Sequence, residues 1–84
     1  MKDASYYDSL SWEVQIERDL RRDGSIYYVA RHPEFGPLSG PIGTGATAEE
    51  ALAELGKARR DLIRVLLERG DSIPEPRPLK AAVP

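Results

Sequence analysis

Glu13 and Glu17 come closest, by type and spacing, to residues that do chemistry. They flank Gln15 in the alternating stretch Trp12-Glu13-Val14-Gln15-Ile16-Glu17, so an extended backbone puts all three on one face. Two carboxylates on a face can converge on a divalent cation, but the sequence supplies no third ligand. Carboxylates at alternating positions are more simply a solvated face. His32 is the only histidine, sits beside Pro33 and has no motif partner; the simplest reading is a polar residue at a strand end. Gly40, Gly43 and Gly45 precede a helical segment, where free N–H groups bind anions. The stretch Gly43-Thr44-Gly45-Ala46-Thr47-Ala48 lacks the third glycine of a dinucleotide fingerprint, however, and no Gly-Lys-Ser/Thr occurs. Glu49 and Glu50 would also repel phosphate, so helix capping is the better reading. Arg18, Arg21 and Arg22 are interrupted by Asp19 and Asp23, which suits a solvated turn better than a phosphate grip. The absence of cysteine removes thiol nucleophiles, disulfides and thiolate-bound metals. Taken together, these residues predict no catalysis, no metal site and no cofactor.

The elements that position these groups are short. Residues 1–11 are polar with Tyr6 and Tyr7 interleaved, and read as a flexible arm. The period of two from Trp12 to Glu17 predicts a strand that buries Trp12, Val14 and Ile16. Asp23-Gly24 supplies the left-handed residue of a hairpin turn. Ile26 to Arg31 is a second strand, rich in β-formers, that ends near Pro33. A short third strand over Leu38 to Thr44 is restricted to an edge by Pro41. Thr47 is an N-cap candidate, and Glu50 three residues later completes a capping box by accepting the cap's own N–H.

The helix from Ala51 to Arg69 places Val65, Ala58, Ala51, Leu62, Leu55, Leu66, Leu52 and Ile63 on one arc. That arc exceeds the ~100° needed to cover one sheet. It leaves a shoulder of Leu52, Gly56, Arg59, Ile63 and Leu67, suited either to the core or to an interface. Gly56 in mid-helix costs about 1 kcal/mol against Ala, which suggests close approach of another backbone there. Gly70 ends the helix. Ile73-Pro74-Glu75-Pro76-Arg77-Pro78-Leu79 should be extended, as a polyproline segment or an edge strand.

Eighty-four residues make one domain at most, with a core marginal on its own, which favours an oligomer. A net charge of −2 lacks the basic excess of a nucleic-acid binder. The N-terminus has no signal-peptide core, and the longest apolar run, Ile26 to Ala30, is far too short to span a bilayer. A cytoplasmic protein without membrane contact is expected.

Four stretches in order resemble the HicB antitoxin family: Gly24-Ser25-Ile26-Tyr27-Tyr28-Val29-Ala30, His32-Pro33-Glu34-Phe35-Gly36, Gly45-Ala46-Thr47-Ala48-Glu49-Glu50-Ala51-Leu52, and Glu68-Arg69-Gly70-Asp71-Ser72-Ile73-Pro74-Glu75-Pro76. The resemblance spans about residues 12–79. It implies an α+β fold with a small antiparallel sheet and one long helix, β-β-β-α-β, of partial ribonuclease H-like or ferredoxin-like type. The flexible arm would cover 1–11, the HicB-like domain 12–79, and a disordered tail 80–84. It further implies a solitary N-terminal-type domain that neutralises a HicA-type ribonuclease toxin by steric masking and assembles as a homo-dimer or homo-tetramer. Many members carry a C-terminal DNA-binding domain with no counterpart here, so direct nucleic-acid binding is not expected.

Masking a basic RNA-binding face needs an acidic or amphipathic surface. Glu13, Gln15, Glu17, Glu34 and Phe35 are the candidate partner-binding residues. Leu52, Ile63, Leu67 and Ile73 are the candidates for the oligomer interface. The alternative is an oligomeric ligand-binding or scaffold module of the same fold with no toxin partner. A metal-dependent nuclease on such a sheet would need a carboxylate cluster that the sequence does not show.

Overall fold

The computed structural model describes residues 2–36 and 40–76. Its elements run α1 (Ala4–Asp8), β1 (Gln15–Leu20), β2 (Ile26–Arg31), a 3-10 turn (Pro33–Phe35), β3 (Ile42–Gly45) and α2 (Ala48–Arg69). The strands form one antiparallel sheet in the order β1-β2-β3. This is the small α+β fold, with a β-β-β-α order and one long helix on the sheet.

The β1–β2 hairpin pairs residue for residue from Gln15 opposite Arg31 to Leu20 opposite Ile26. Its turn closes through Arg21 N–H to the Ser25 carbonyl (2.8 Å) and Gly24 N–H to the Arg21 carbonyl (2.9 Å). Gly24 sits at φ 88°, a region that a Cβ disfavours. Asp23 Oδ1 accepts from the Ser25 N–H and hydroxyl, which lowers its pKa and pins the turn.

The helix lies on β2 and β3 because two residues there lack side chains. Ala30 is opposite Gly43, and Tyr28 is opposite Gly45. A Cβ at Gly43 would overlap the Ala51 carbonyl oxygen and Leu55 N and lie 2.8 Å from Leu55 Cα. One at Gly45 would overlap Glu50 Cβ and lie 2.9 Å from Ala51 N. The backbones of β3 and α2 therefore touch, and Ala30, Ala51 and Leu55 form the core beneath, with Tyr28 packed against it. Close backbone approach thus belongs to Gly43 and Gly45. At Gly56, where the sequence suggested it, an added Cβ would meet only the tips of Arg60 (3.4 Å) and Arg59 (3.8 Å).

Both ends of α2 are closed. Thr47 Oγ1 accepts the Glu50 N–H (3.1 Å). The Glu50 carboxylate reaches back to the Ala46 N–H (3.0 Å), one residue before the expected cap N–H. At the far end Gly70 is left-handed, with its N–H on Leu67 O (3.2 Å) and the Asp71 N–H on Leu66 O (2.9 Å). That is the paired arrangement that satisfies the last carbonyls of a helix.

Several expectations change. The first strand covers Gln15–Leu20 rather than Trp12 to Glu17. Val14 and Ile16 are 44% and 42% exposed, because α2 covers β2 and β3 and leaves β1 open. Residues 4–8 of the supposed arm form α1, capped by Asp3 and packed on α2. Ile73 to Pro76 form no strand; the rest of the expected last strand and the tail at 80–84 lie outside the described residues. Ile63 is fully buried within the chain, in the core rather than at an interface. No helix among the described residues is long and apolar enough to cross a membrane.

Candidate functional site

The acidic residues of the first strand region meet the turn after β2 at one end of the sheet. The Glu13 N–H donates to Glu34 Oε2 at 2.8 Å, which fixes the 3-10 turn against the entry to β1. Glu34 Oε1 is buried and accepts no hydrogen bond. Glu13, Pro33, Glu34 and Glu75 line a recess of about 430 Å³. Beside it, sharing Pro33, a second recess of about 320 Å³ is lined by Gln15, Glu17, Arg31, His32 and Gly36.

By strand alternation Gln15 and Glu17 lie on the sheet face away from α2, across from Arg31 and Val29. Glu75 comes from the segment after α2. Lys2 Nζ (2.8 Å) and the Tyr6 hydroxyl (3.0 Å) both donate to its carboxylate. These bonds hold Glu75 below its ordinary pKa and raise Lys2 and Tyr6. Of the proposed partner-binding residues, Glu13, Gln15, Glu17 and Glu34 therefore converge. Phe35 is half-buried and stacks on Trp12 with ring centres 5.0 Å apart, so much of its ring already serves packing.

His32 sits behind this surface, only 2% exposed. Its Nδ1 lies 2.7 Å from the Glu13 carbonyl, and its Nε2 lies 3.0 Å from Arg59 Nη1. Arg59 can only donate, so Nε2 accepts, and the neutral ring carries its proton on Nδ1 toward Glu13. Arg59 Nε also donates to Asp8 at 2.9 Å. One relay thus joins α1, α2, the end of β2 and the entry to β1. Burial is the main cause that pushes the His32 pKa below 6.5; the Arg59 charge adds to it, while the Glu13 carbonyl and Glu34 oppose it. Both ring nitrogens are engaged, so neither is free to ligate a metal or act as a base.

Asp8, Arg59 and Glu75 escaped the sequence reading of this region. Arg59 left one signal, a permanent charge within the apolar shoulder of the helix. Asp8 and Glu75 left none, since their partners lie far off in the chain. Of the oligomer candidates, Leu52 is 40% exposed, Leu67 and Ile73 are half-buried, and Ile63 is enclosed. Among the described residues no group of three or more His, Asp or Glu is arranged to hold a metal ion.

No protein-family model matches this chain, and neither a curated protein nor a solved structure does.

Proposed function

We propose that this chain is a binding module of the antitoxin kind, which neutralises a HicA-type ribonuclease in the cytoplasm by covering its basic RNA-binding surface. The observation that supports the reading is the convergence of Glu13, Glu17, Glu34 and Glu75 on two adjoining recesses at one end of the sheet. Arg31 and Lys2 offset only part of this charge. Glu34 Oε1 adds a buried acceptor without a donor, and an Arg or Lys of a partner would supply one. A negative surface of this kind steers a positive partner and fixes its orientation. Masking needs no reactive group, which agrees with a histidine whose two nitrogens are already engaged.

The test is co-expression with the product of the adjacent reading frame. A small basic ribonuclease that co-purifies with the chain and loses its RNA cleavage supports the proposal. A neighbour that is not basic, or a ribonuclease that stays active and separate, overturns it. The second outcome would favour a scaffold module without a toxin.

A further inference from the structure

We infer that α1 is a proton-operated latch: Arg59 locks it to α2 while His32 is neutral, and uptake of a proton at His32 Nε2 releases it. The latch is independent of any toxin. It starts from how little holds α1. The helix is five residues long and has no buried residue, and a helix of that length does not persist alone. Among the described residues its polar attachments lie at its two ends. At one end, Lys2 Nζ and the Tyr6 hydroxyl donate to Glu75, and these groups are exposed, where an ion pair contributes little. At the other, the Tyr7 carbonyl accepts the Trp12 indole N–H (2.9 Å) and Asp8 Oδ1 accepts Arg59 Nε (2.9 Å), both partly buried.

Arg59 is shared. Its Nη1 donates to His32 Nε2 at 3.0 Å, while His32 Nδ1 faces the Glu13 carbonyl at 2.7 Å. A second proton on the ring therefore enters at Nε2, the atom that accepts from Arg59. Two donors and two positive charges then face each other, and one of them must leave. The ring is held: it is buried, its other nitrogen stays on Glu13, and the Trp12 and Phe35 rings lie 5.6 and 6.4 Å away. Arg59 sits on a long side chain that can swing out, and its departure takes the donor from Asp8.

The charged groups around His32 come from every neighbouring element. Arg59 faces it from α2, with Asp8 of α1 behind; Glu13 lies at the entry to β1 and Glu34 on the 3-10 turn. Glu17 of β1 and Arg31 of β2 share its recess. Burial opposes a charged ring most, and Arg59 adds to it, against the Glu13 carbonyl and Glu34. The latch is therefore closed at neutral pH and opens below pH 6.5. Opening takes Lys2 and Tyr6 off Glu75, which lines the acidic recess, and puts a positive charge in the adjoining one. Acid thus makes this surface both less ordered and less negative.

The test is amide and indole hydrogen exchange by NMR on the full chain, corrected for intrinsic rates, from pH 7.5 to 5.0. The Tyr7 and Ser9 N–H groups bond to the Asp3 and Ser5 carbonyls within and beside α1. Their protection, and that of the Trp12 indole, should fall about tenfold or more as the His32 ring signals titrate. Amides of β2 and α2 should keep theirs. His32→Gln offers Arg59 an acceptor that does not titrate, and should keep α1 protected at pH 5.0. Asp8→Ala leaves His32 intact and should release α1 already at pH 7.5, with β2 and α2 still protected. Protection of α1 that persists while His32 titrates overturns the proposal, as when Asp8 turns to the charged ring and holds α1 in place. Loss of α1 and α2 protection in one step also overturns it, because that is global unfolding. So does an acid release that survives in His32→Gln, which assigns the proton to a carboxylate. Should His32→Gln not fold, wild type and Asp8→Ala decide: α1 still docked in Asp8→Ala contradicts the latch.

Discussion

Replacing Gly43 by Ala should destabilise this chain more than its size suggests, while the same change at Gly56 should stabilise it. At Gly43 the added methyl would overlap the Ala51 carbonyl and Leu55 N and sit 2.8 Å from Leu55 Cα. Carbon atoms pack at about 3.5–4.0 Å, so β3 and α2 must separate by roughly 0.7 Å or more. The obstacle is helix backbone, which cannot rotate away. Ala51 and Leu55, with Ala30, make up the buried cluster, so separation loosens the whole contact. Overpacking costs about 1–3 kcal/mol; the upper end applies here, because the displaced element is a full helix. At Gly56 the methyl meets only flexible arginine tips, and helix propensity favours Ala by about 1 kcal/mol. Two chemically identical substitutions should therefore differ by roughly 4 kcal/mol. Urea unfolding with an unchanged slope reads the difference as a shift in midpoint. Gly43→Ala within about 0.5 kcal/mol of wild type would refute the backbone contact. A destabilising Gly56→Ala would show that a backbone does approach that position.

The remaining predictions concern the polar framework. Because burial depresses the His32 pKa below 6.5, the unfolded chain binds that proton first. The contribution is complete above about pH 6.5 and is lost as pH falls from there through the lower folded pKa; denaturation midpoints at pH 7.5 and 5.5 should show the fall, and His32→Phe should flatten it. Arg59→Ala removes the donor to both His32 and Asp8 and should cost about 1–3 kcal/mol, measured by chemical denaturation. Thr47→Ala removes the N-cap acceptor for Glu50 and should cost about 1 kcal/mol in the same assay. Gly70→Ala forces a side chain into φ 72° and should cost roughly 1 kcal/mol, seen as a lower thermal midpoint.

The legible parts of the fold were those set by local chemistry. Asp23-Gly24 marks its turn because only a residue tolerant of positive φ fits, and Thr47, Glu50 and Gly70 mark helix ends because orphan N–H and carbonyl groups there need partners. The second strand was readable from its run of β-formers. The first strand was misplaced because its alternation is genuine but its apolar face is not covered: Val14 and Ile16 look like core residues in sequence and are exposed in the fold. Which strands a helix covers depends on where glycines let it approach, and reading Gly43 and Gly45 as the lead-in to a helix cap gives no sign of that role. At the candidate site, the alternation of Glu13, Gln15 and Glu17 gave a shared face. Their meeting with Glu34 and Glu75, and the Asp8–Arg59–His32 relay, depend on long-range contacts that no local pattern encodes.

In the proposed function the acidic recess grips a basic partner. The measurement that bears on this most directly is cleavage of RNA by a small basic ribonuclease that co-purifies with this chain, titrated with wild-type protein and with Glu13→Lys/Glu17→Lys. Wild type should abolish cleavage near stoichiometric ratio. The double variant should need at least about tenfold more protein, from slower association, and show a weaker salt dependence with unchanged circular dichroism. Equal inhibition by both proteins at every salt concentration would contradict the assignment of this surface.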